Sequence, residues 1–175
     1  MPKVITRTLP HFDTRPRGTA VDTIIIHSIY APGEQNELSP TACIKLLDAK
    51  KVASHYLIDR LGKIYKLVAE DKRAWHAGVS KMPDLKDGRE NVNHFSLGIE
   101  LIGRPGKTFS TKQYSALSKL TEEIISRHKI AAIMGHEHIA PGRKTDPGPA
   151  FDWEKYRVLL KDHGIKVTKI RFPDK

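Results

Sequence analysis

The chain has 175 residues, a net charge of +10 and a single cysteine. That length suits one domain able to bury roughly 70% of its unfolded surface without disulfide or metal staples, and the lone Cys43 excludes an intrachain disulfide. The basic excess means either solubility or attraction to a polyanion. The basic residues are scattered and not interleaved with aromatic side chains, so no nucleic-acid partner is expected.

Residues 1–20 contain three prolines and many charges and read as an irregular arm. They hold no apolar run of signal-peptide length, and Ile24-Ile25-Ile26 is far too short to cross a bilayer. A soluble, cytoplasmic chain with no membrane partner is expected, and a monomer. Val21 to His27 has the β-branched composition of a buried strand. After a loop over 30–38, Ser39-Pro40 reads as an N-cap with proline at the first helical position. The helix predicted from Thr41 to Lys51 turns Ile44, Leu47 and Cys43 inward. Ser54–Asp59 and Lys63–Val68 read as a hairpin about a turn holding Gly62. Residues 71–94 lack a period and read as a long functional loop, with room for a short helix, carrying Trp75-His76-Ala77-Gly78.

Ser96 to Ile102 is a second buried strand with Glu100 inside it. Ser110 or Thr111 caps a long helix to His128, with Tyr114, Leu117, Leu120, Ile124 and Ile125 on one face. Ile130 to Met134 is a short strand that leads into Gly135-His136. The stretch Gly135 to Trp153 is too rich in proline and glycine for a helix interior or central strand and reads as irregular backbone. Asp152 caps a last helix to about His163, closed by Gly164. Residues 165–175 form a C-terminal extension, either an edge strand or loose. The expected fold class is α/β: a central mixed β-sheet of about five or six strands flanked by helices.

His27 and His136 each end a predicted strand, and Asp146 follows His136 by ten residues across a Pro/Gly-rich turn. Two histidines, one carboxylate and an open position make a catalytic zinc arrangement. The same residues also suit ordinary hydrogen bonding and a turn, and His138 is a rival ligand if the segment is extended. Glu100 is costly to bury in an apolar strand unless paired or working. Gly98 shares its face and leaves space there. A carboxylate at such a site can move a proton to a leaving amine, and Lys144 can stabilise an oxyanion. Trp75 and His76 suit the face of a sugar or a peptide. Cys43 lies in an apolar helical pattern with no base at a telling spacing and is not a nucleophile candidate.

Taken together, PHFDTRP, TIIIHS, ASHYLIDRLGKIYKLV, KRAWHAGVS, NHFSLGIEL and GHEHIAPGRKTDPGPAFDW resemble the zinc-dependent N-acetylmuramoyl-L-alanine amidases of type 2. The likeness is to the AmpD group, whose fold is shared with peptidoglycan recognition proteins, and it runs over nearly the whole chain. It implies one amidase domain over 1–175, a Zn2+ cofactor held by His27, His136 and Asp146, and Glu100 and Lys144 as catalytic residues. The implied reaction is hydrolysis of the amide between the lactyl group of N-acetylmuramic, or 1,6-anhydro-N-acetylmuramic, acid and L-alanine of the stem peptide. The partner is then a muropeptide or peptidoglycan. The alternative that the resemblance leaves is a non-catalytic peptidoglycan-binding receptor.

The same likeness implies substrate contacts at Ser28, Lys51, His55, Trp75, His76 and Ala77. Two departures stand out. Ser28 replaces an asparagine of the AmpD group, and the connection from His27 to His55 is shorter than in that group. Lys51 stands where a basic substrate contact occurs there, and Asn91 where an arginine does. A strict preference for anhydro fragments is therefore not implied.

Overall fold

The computed structural model describes residues 4–84 and 86–173; residues 1–3, 85, 174 and 175, parts of the expected arm, long loop and extension, lie outside them. The centre is a six-stranded mixed sheet. Its strands are β1 (Val4–Thr6), β3 (Thr23–Ile29), β4 (Tyr56–Ile58), β5 (Ile64–Lys66), β7 (Ser96–Ile102) and β8 (Ala132–Gly135), in the order β1-β5-β4-β7-β3-β8. β4 and β5 pair antiparallel, and every other neighbouring pair in that sheet is parallel. A separate ribbon pairs β2 (Phe12–Thr14) with β6 (Lys72–Ala74).

The two longest strands lie in the interior of the sheet because their sequences can be covered on both faces. Every residue of β7 is buried, as are Thr23 to His27 of β3. Ile24, Ile25 and Ile26 are each fully buried, which contributes about 1.5–3 kcal/mol apiece. One sheet face carries Ile24, Ile26, Leu97, Ile99 and Leu101 into the main core, beneath α2 (Thr111–Arg127) and α4 (Trp153–Asp162). The other face carries two smaller clusters. Leu57 and Ile102 pack with Cys43 and Leu47 of α1 (Pro40–Ala49). Ile25 and Met134 pack with Ala77 and Met82 of the long loop and with Phe95 just after it. His27 and Glu100, direct register partners, point from this second face.

Ser39 precedes α1 without a side-chain cap hydrogen bond, and the caps predicted at α2 and α4 form. The Ser110 hydroxyl accepts from the Gln113 N–H, while Gln113 Oε1 accepts from the Ser110 N–H. Gln113 Nε2 also donates to the Ile102 carbonyl, so the cap fixes α2 against the end of β7. Asp152 Oδ1 accepts from the Lys155 N–H at the start of α4. In the β4–β5 turn, Gly62 has φ +80°, and a Cβ there would sit 2.7 Å from the Lys112 carbonyl oxygen. That turn therefore requires glycine.

Three expectations are corrected. The arm is not irregular throughout, because it contains β1 and β2. What holds it is Arg15, which donates to the carbonyls of Glu70, Asn93, His94 and Ser96. The long loop contains the unforeseen strand β6, while the short helix it had room for is the 3-10 turn Val92–His94. The stretch after β8 opens on one helical turn, α3 (His136–Ile139), instead of irregular backbone. The C-terminal extension forms a 3-10 turn at Val167–Lys169 and bridges the sheet edge at Arg171, whose carbonyl accepts from the Ile133 N–H. Arg171 also pairs with Asp84 and Asp87, at 2.6 Å each. No helix among the described residues is long and apolar enough to cross a membrane.

Candidate metal centre and active site

Three elements converge at the C-terminal ends of the parallel strands, where open α/β sheets bind ligands. His27 comes from β3, His136 opens α3, and Asp146 returns on the loop that follows α3. That return is fixed by the backbone, since the Asp146 carbonyl accepts from the Glu137 N–H at 2.8 Å. His27 Nδ1 and His136 Nδ1 lie 3.0 Å apart, and Asp146 Oδ2 is 3.2 Å from each.

The far side of each ring decides where its proton is. His136 Nε2 lies 3.1 Å from the Ala77 carbonyl, which only accepts, so Nε2 carries the hydrogen and Nδ1 a lone pair. His27 Nε2 lies 2.9 Å from His76 Nδ1, and His76 Nε2 lies 3.2 Å from the Ser96 hydroxyl. That hydroxyl donates its single hydrogen to the Val92 carbonyl at 2.7 Å. His76 must then donate from Nε2 and accept at Nδ1, which makes His27 an Nε2–H tautomer as well. Burial, followed by the nearness of His136, holds the His27 imidazole down to about 4 and therefore neutral near pH 7.

In these neutral tautomers, two lone pairs and a carboxylate oxygen face one point with no proton among them. Such a cluster suits a cation. Ligand atoms about 2.0–2.1 Å from a tetrahedral zinc are about 3.3–3.4 Å apart, so the observed triangle fits within a few tenths of an ångström. The group could hold a metal ion.

Glu100 stands beside this triangle in a cleft of about 540 Å³ that is also lined by Ser28, Trp75, Lys50 and Lys144. Glu100 is 7% exposed, and its Oε2 has no hydrogen-bond partner among the described residues. Burial first, then the charge of Asp146, raises its proton affinity well above the ordinary carboxylate range, while Lys144 and Lys50 oppose the rise. A carboxyl buried in a cleft with an unpartnered oxygen is a candidate for chemistry.

A model of the N-acetylmuramoyl-L-alanine amidase family matches residues 17–149. The chain belongs to that family. Among curated relatives, the 1,6-anhydro-N-acetylmuramyl-L-alanine amidase AmpD of Escherichia coli is 40% identical over 166 residues, covering 86% of this chain and 88% of that one. A selenomethionine AmpD structure superposes with a TM-score of 0.77 at 38% identity, over 91% of this chain and 96% of that chain. The E. coli amidase AmiD, solved with anhydro-N-acetylmuramic acid-L-Ala-D-gamma-Glu-L-Lys, gives a TM-score of 0.71 at 29% identity. That match covers 91% of this chain and 63% of the AmiD chain.

The amidase brings together the expected His27, His136, Asp146, Glu100 and Lys144, with Ser28, Trp75 and His76 on the same cleft. Three expected substrate contacts fall elsewhere. His55 is fully buried below His76; its Nδ1 accepts from the Gly98 N–H and its Nε2 donates to the Lys72 carbonyl. Ala77 is fully buried and offers its carbonyl to His136 and to Arg143. Lys51 is an exposed residue at φ +54° just past α1, and the cleft is lined by Lys50 instead. His138 lies outside the group that could hold a metal. On a helical turn it points away from His136, accepts from the Gly135 N–H and packs edge-on against Trp153. Asn93, which the sequence does not flag, grips the loop through Oδ1, accepting from the His76 and Ala77 N–H groups.

Proposed function

We propose that this amidase is a zinc enzyme that hydrolyses the lactyl–L-alanine amide of muropeptides, with His27, His136 and Asp146 as the metal ligands and Glu100 and Lys144 as its catalytic residues. The observation that supports it most is the unbalanced triangle of Nδ1, Nδ1 and Oδ2, next to a carboxyl with an unpaired oxygen. When bound, zinc supplies Lewis-acid polarisation and an acidified water.

The chain's own residues supply the rest. Glu100 accepts a proton as the nucleophile adds and returns it to the leaving alanine nitrogen, a role its raised proton affinity suits. Lys144 lies on the cleft wall, and its charge reaches both Glu100 and His27. It stabilises the negative charge that grows on the carbonyl oxygen. Trp75, 39% exposed at the rim, offers an apolar face to a sugar ring or peptide. A buried unpaired carboxyl is a cost with no return in a receptor that only binds, which favours the enzyme reading.

The substrate class follows from likeness to the anhydro-muropeptide amidases, and a cytoplasmic location, checked by cell fractionation, is part of the same proposal. The test offers anhydro-muropeptide and intact sacculi to the zinc-loaded protein. Release of the L-alanine-linked peptide, abolished by a chelator and restored by zinc, is expected. Release that survives chelation refutes the metal assignment.

A further inference from the structure

We infer that His76 is a positioning residue of the metal centre, which sets the tautomer and direction of His27 through a hydrogen-bond relay ending on the Val92 carbonyl. The inference rests on the metal reading above. The relay runs from Val92 O through the Ser96 hydroxyl (2.7 Å) and the His76 ring (3.2 Å) to His27 Nε2 (2.9 Å). A carbonyl cannot donate, so each proton along this line has one place, and the last lone pair is left on His27 Nδ1, facing His136 and Asp146. Without an acceptor at His76 Nδ1, the His27 ring is free to carry its hydrogen on Nδ1, where a ligand lone pair is needed.

The ring of His76 is itself held. It lies over Gly98 so closely that a Cβ there would be 2.6 Å from its Cγ. Its backbone N–H, with that of Ala77, donates to Asn93 Oδ1. The same dipeptide orients the second ligand, because the Ala77 carbonyl fixes His136 at 3.1 Å. Residues 76 and 77 thus direct both ligand rings, one by a side chain and one by a carbonyl. Groups that orient metal ligands in this way commonly change metal affinity about 10–100-fold when removed.

Zinc affinity, measured by competition with a chelating chromophore, separates this role from a substrate contact. His76→Phe keeps a ring and removes both nitrogens; its zinc affinity is expected to fall about 10–100-fold. His76→Gln returns an acceptor and recovers part of the loss. Ser96→Ala, which touches neither a ligand nor the cleft, weakens zinc binding several-fold while KM at saturating zinc stays unchanged. The cobalt-substituted forms of the Phe and Ala variants show altered visible absorption. Wild-type zinc affinity in His76→Phe, or a raised KM with unaltered metal binding, overturns the inference and leaves the amidase reading standing. So does equal loss in the Phe and Gln variants with matching losses of folding. Absence of zinc binding by the unsubstituted chain overturns the metal reading and this inference together.

Discussion

Gly98→Ala is a change of one methyl group in the middle of β7, and its consequence can be worked from distances. The new Cβ would lie 2.6 Å from His76 Cγ and 2.7 Å from its Nδ1. Ordinary contact begins near 3.4 Å, so the ring must retreat by at least about 0.8 Å, the difference between 3.4 and 2.6 Å. The ring cannot slide freely, because His27 and His55 stand edge-on to it at centroid distances of 5.1 and 5.7 Å. A retreat of that size matches the slack between the 2.9 Å His76–His27 contact and the ~3.6 Å at which a hydrogen bond is lost. Overpacking of this kind costs about 1–3 kcal/mol, which for a chain of this length lowers Tm by about 2–12 °C. Thermal unfolding with chelator reads the packing cost, and zinc competition reads the ligand geometry. Both are expected to worsen. A Gly98→Ala protein with unchanged Tm and unchanged zinc affinity would refute the close contact and the relay built on it.

Other expectations follow from the same side chains. Glu100→Gln keeps the shape but not the proton transfer, so kcat is expected to fall about 10²–10⁴-fold while zinc still binds in a competition assay; retained activity removes Glu100 from catalysis. Zinc at about 100 times its dissociation constant adds about 2.7 kcal/mol, so Tm rises by about 5–11 °C over the chelated protein; His136→Ala should abolish that rise. Away from the site, burial would push the Glu70 carboxyl up, but hydrogen bonds from Arg127, Tyr56 and His128 outweigh it and bring Glu70 down from 4.5 to about 2. A depressed carboxylate contributes stability that is present above about 4.5 and lost as pH falls through about 2. Glu70→Gln is therefore expected to lower Tm at neutral pH and to flatten its fall between those values. A pH–Tm curve parallel to that of the wild type would contradict the assignment.

Much of the centre was legible in the chain because strand periodicity and spacing are local properties. The apolar runs Thr23–Ile26 and Ser96–Ile102 define buried strands, and a buried strand makes a histidine or glutamate within it conspicuous. The caps at Ser110 and Asp152 are likewise local hydrogen bonds, and both form as the sequence predicts. The motif GHEHIAPGRKTDPGPAFDW holds two of the three groups that could hold a metal, and Lys144, although its first turn is helical and leaves His138 outside that group.

Other features depended on residues far apart in sequence. β1 and β2 have three residues each and too little periodicity to announce themselves. They exist because β5 and β6 offer edges to pair with, and because Arg15 finds carbonyls 55 to 81 residues away. The phase of α1 at its last turn turned Lys50, not Lys51, into the cleft. A histidine at position 55 or 76 carries no mark of what its two nitrogens will meet. Only the packing of β7 beneath the long loop puts His55 under Gly98, His76 over it and the Ala77 carbonyl against His136. The sequence alone determined which groups could hold a metal and move a proton. The tertiary structure decided which nitrogen of each ring faces the candidate metal site, because a tautomer is set by the partner on the ring's other side.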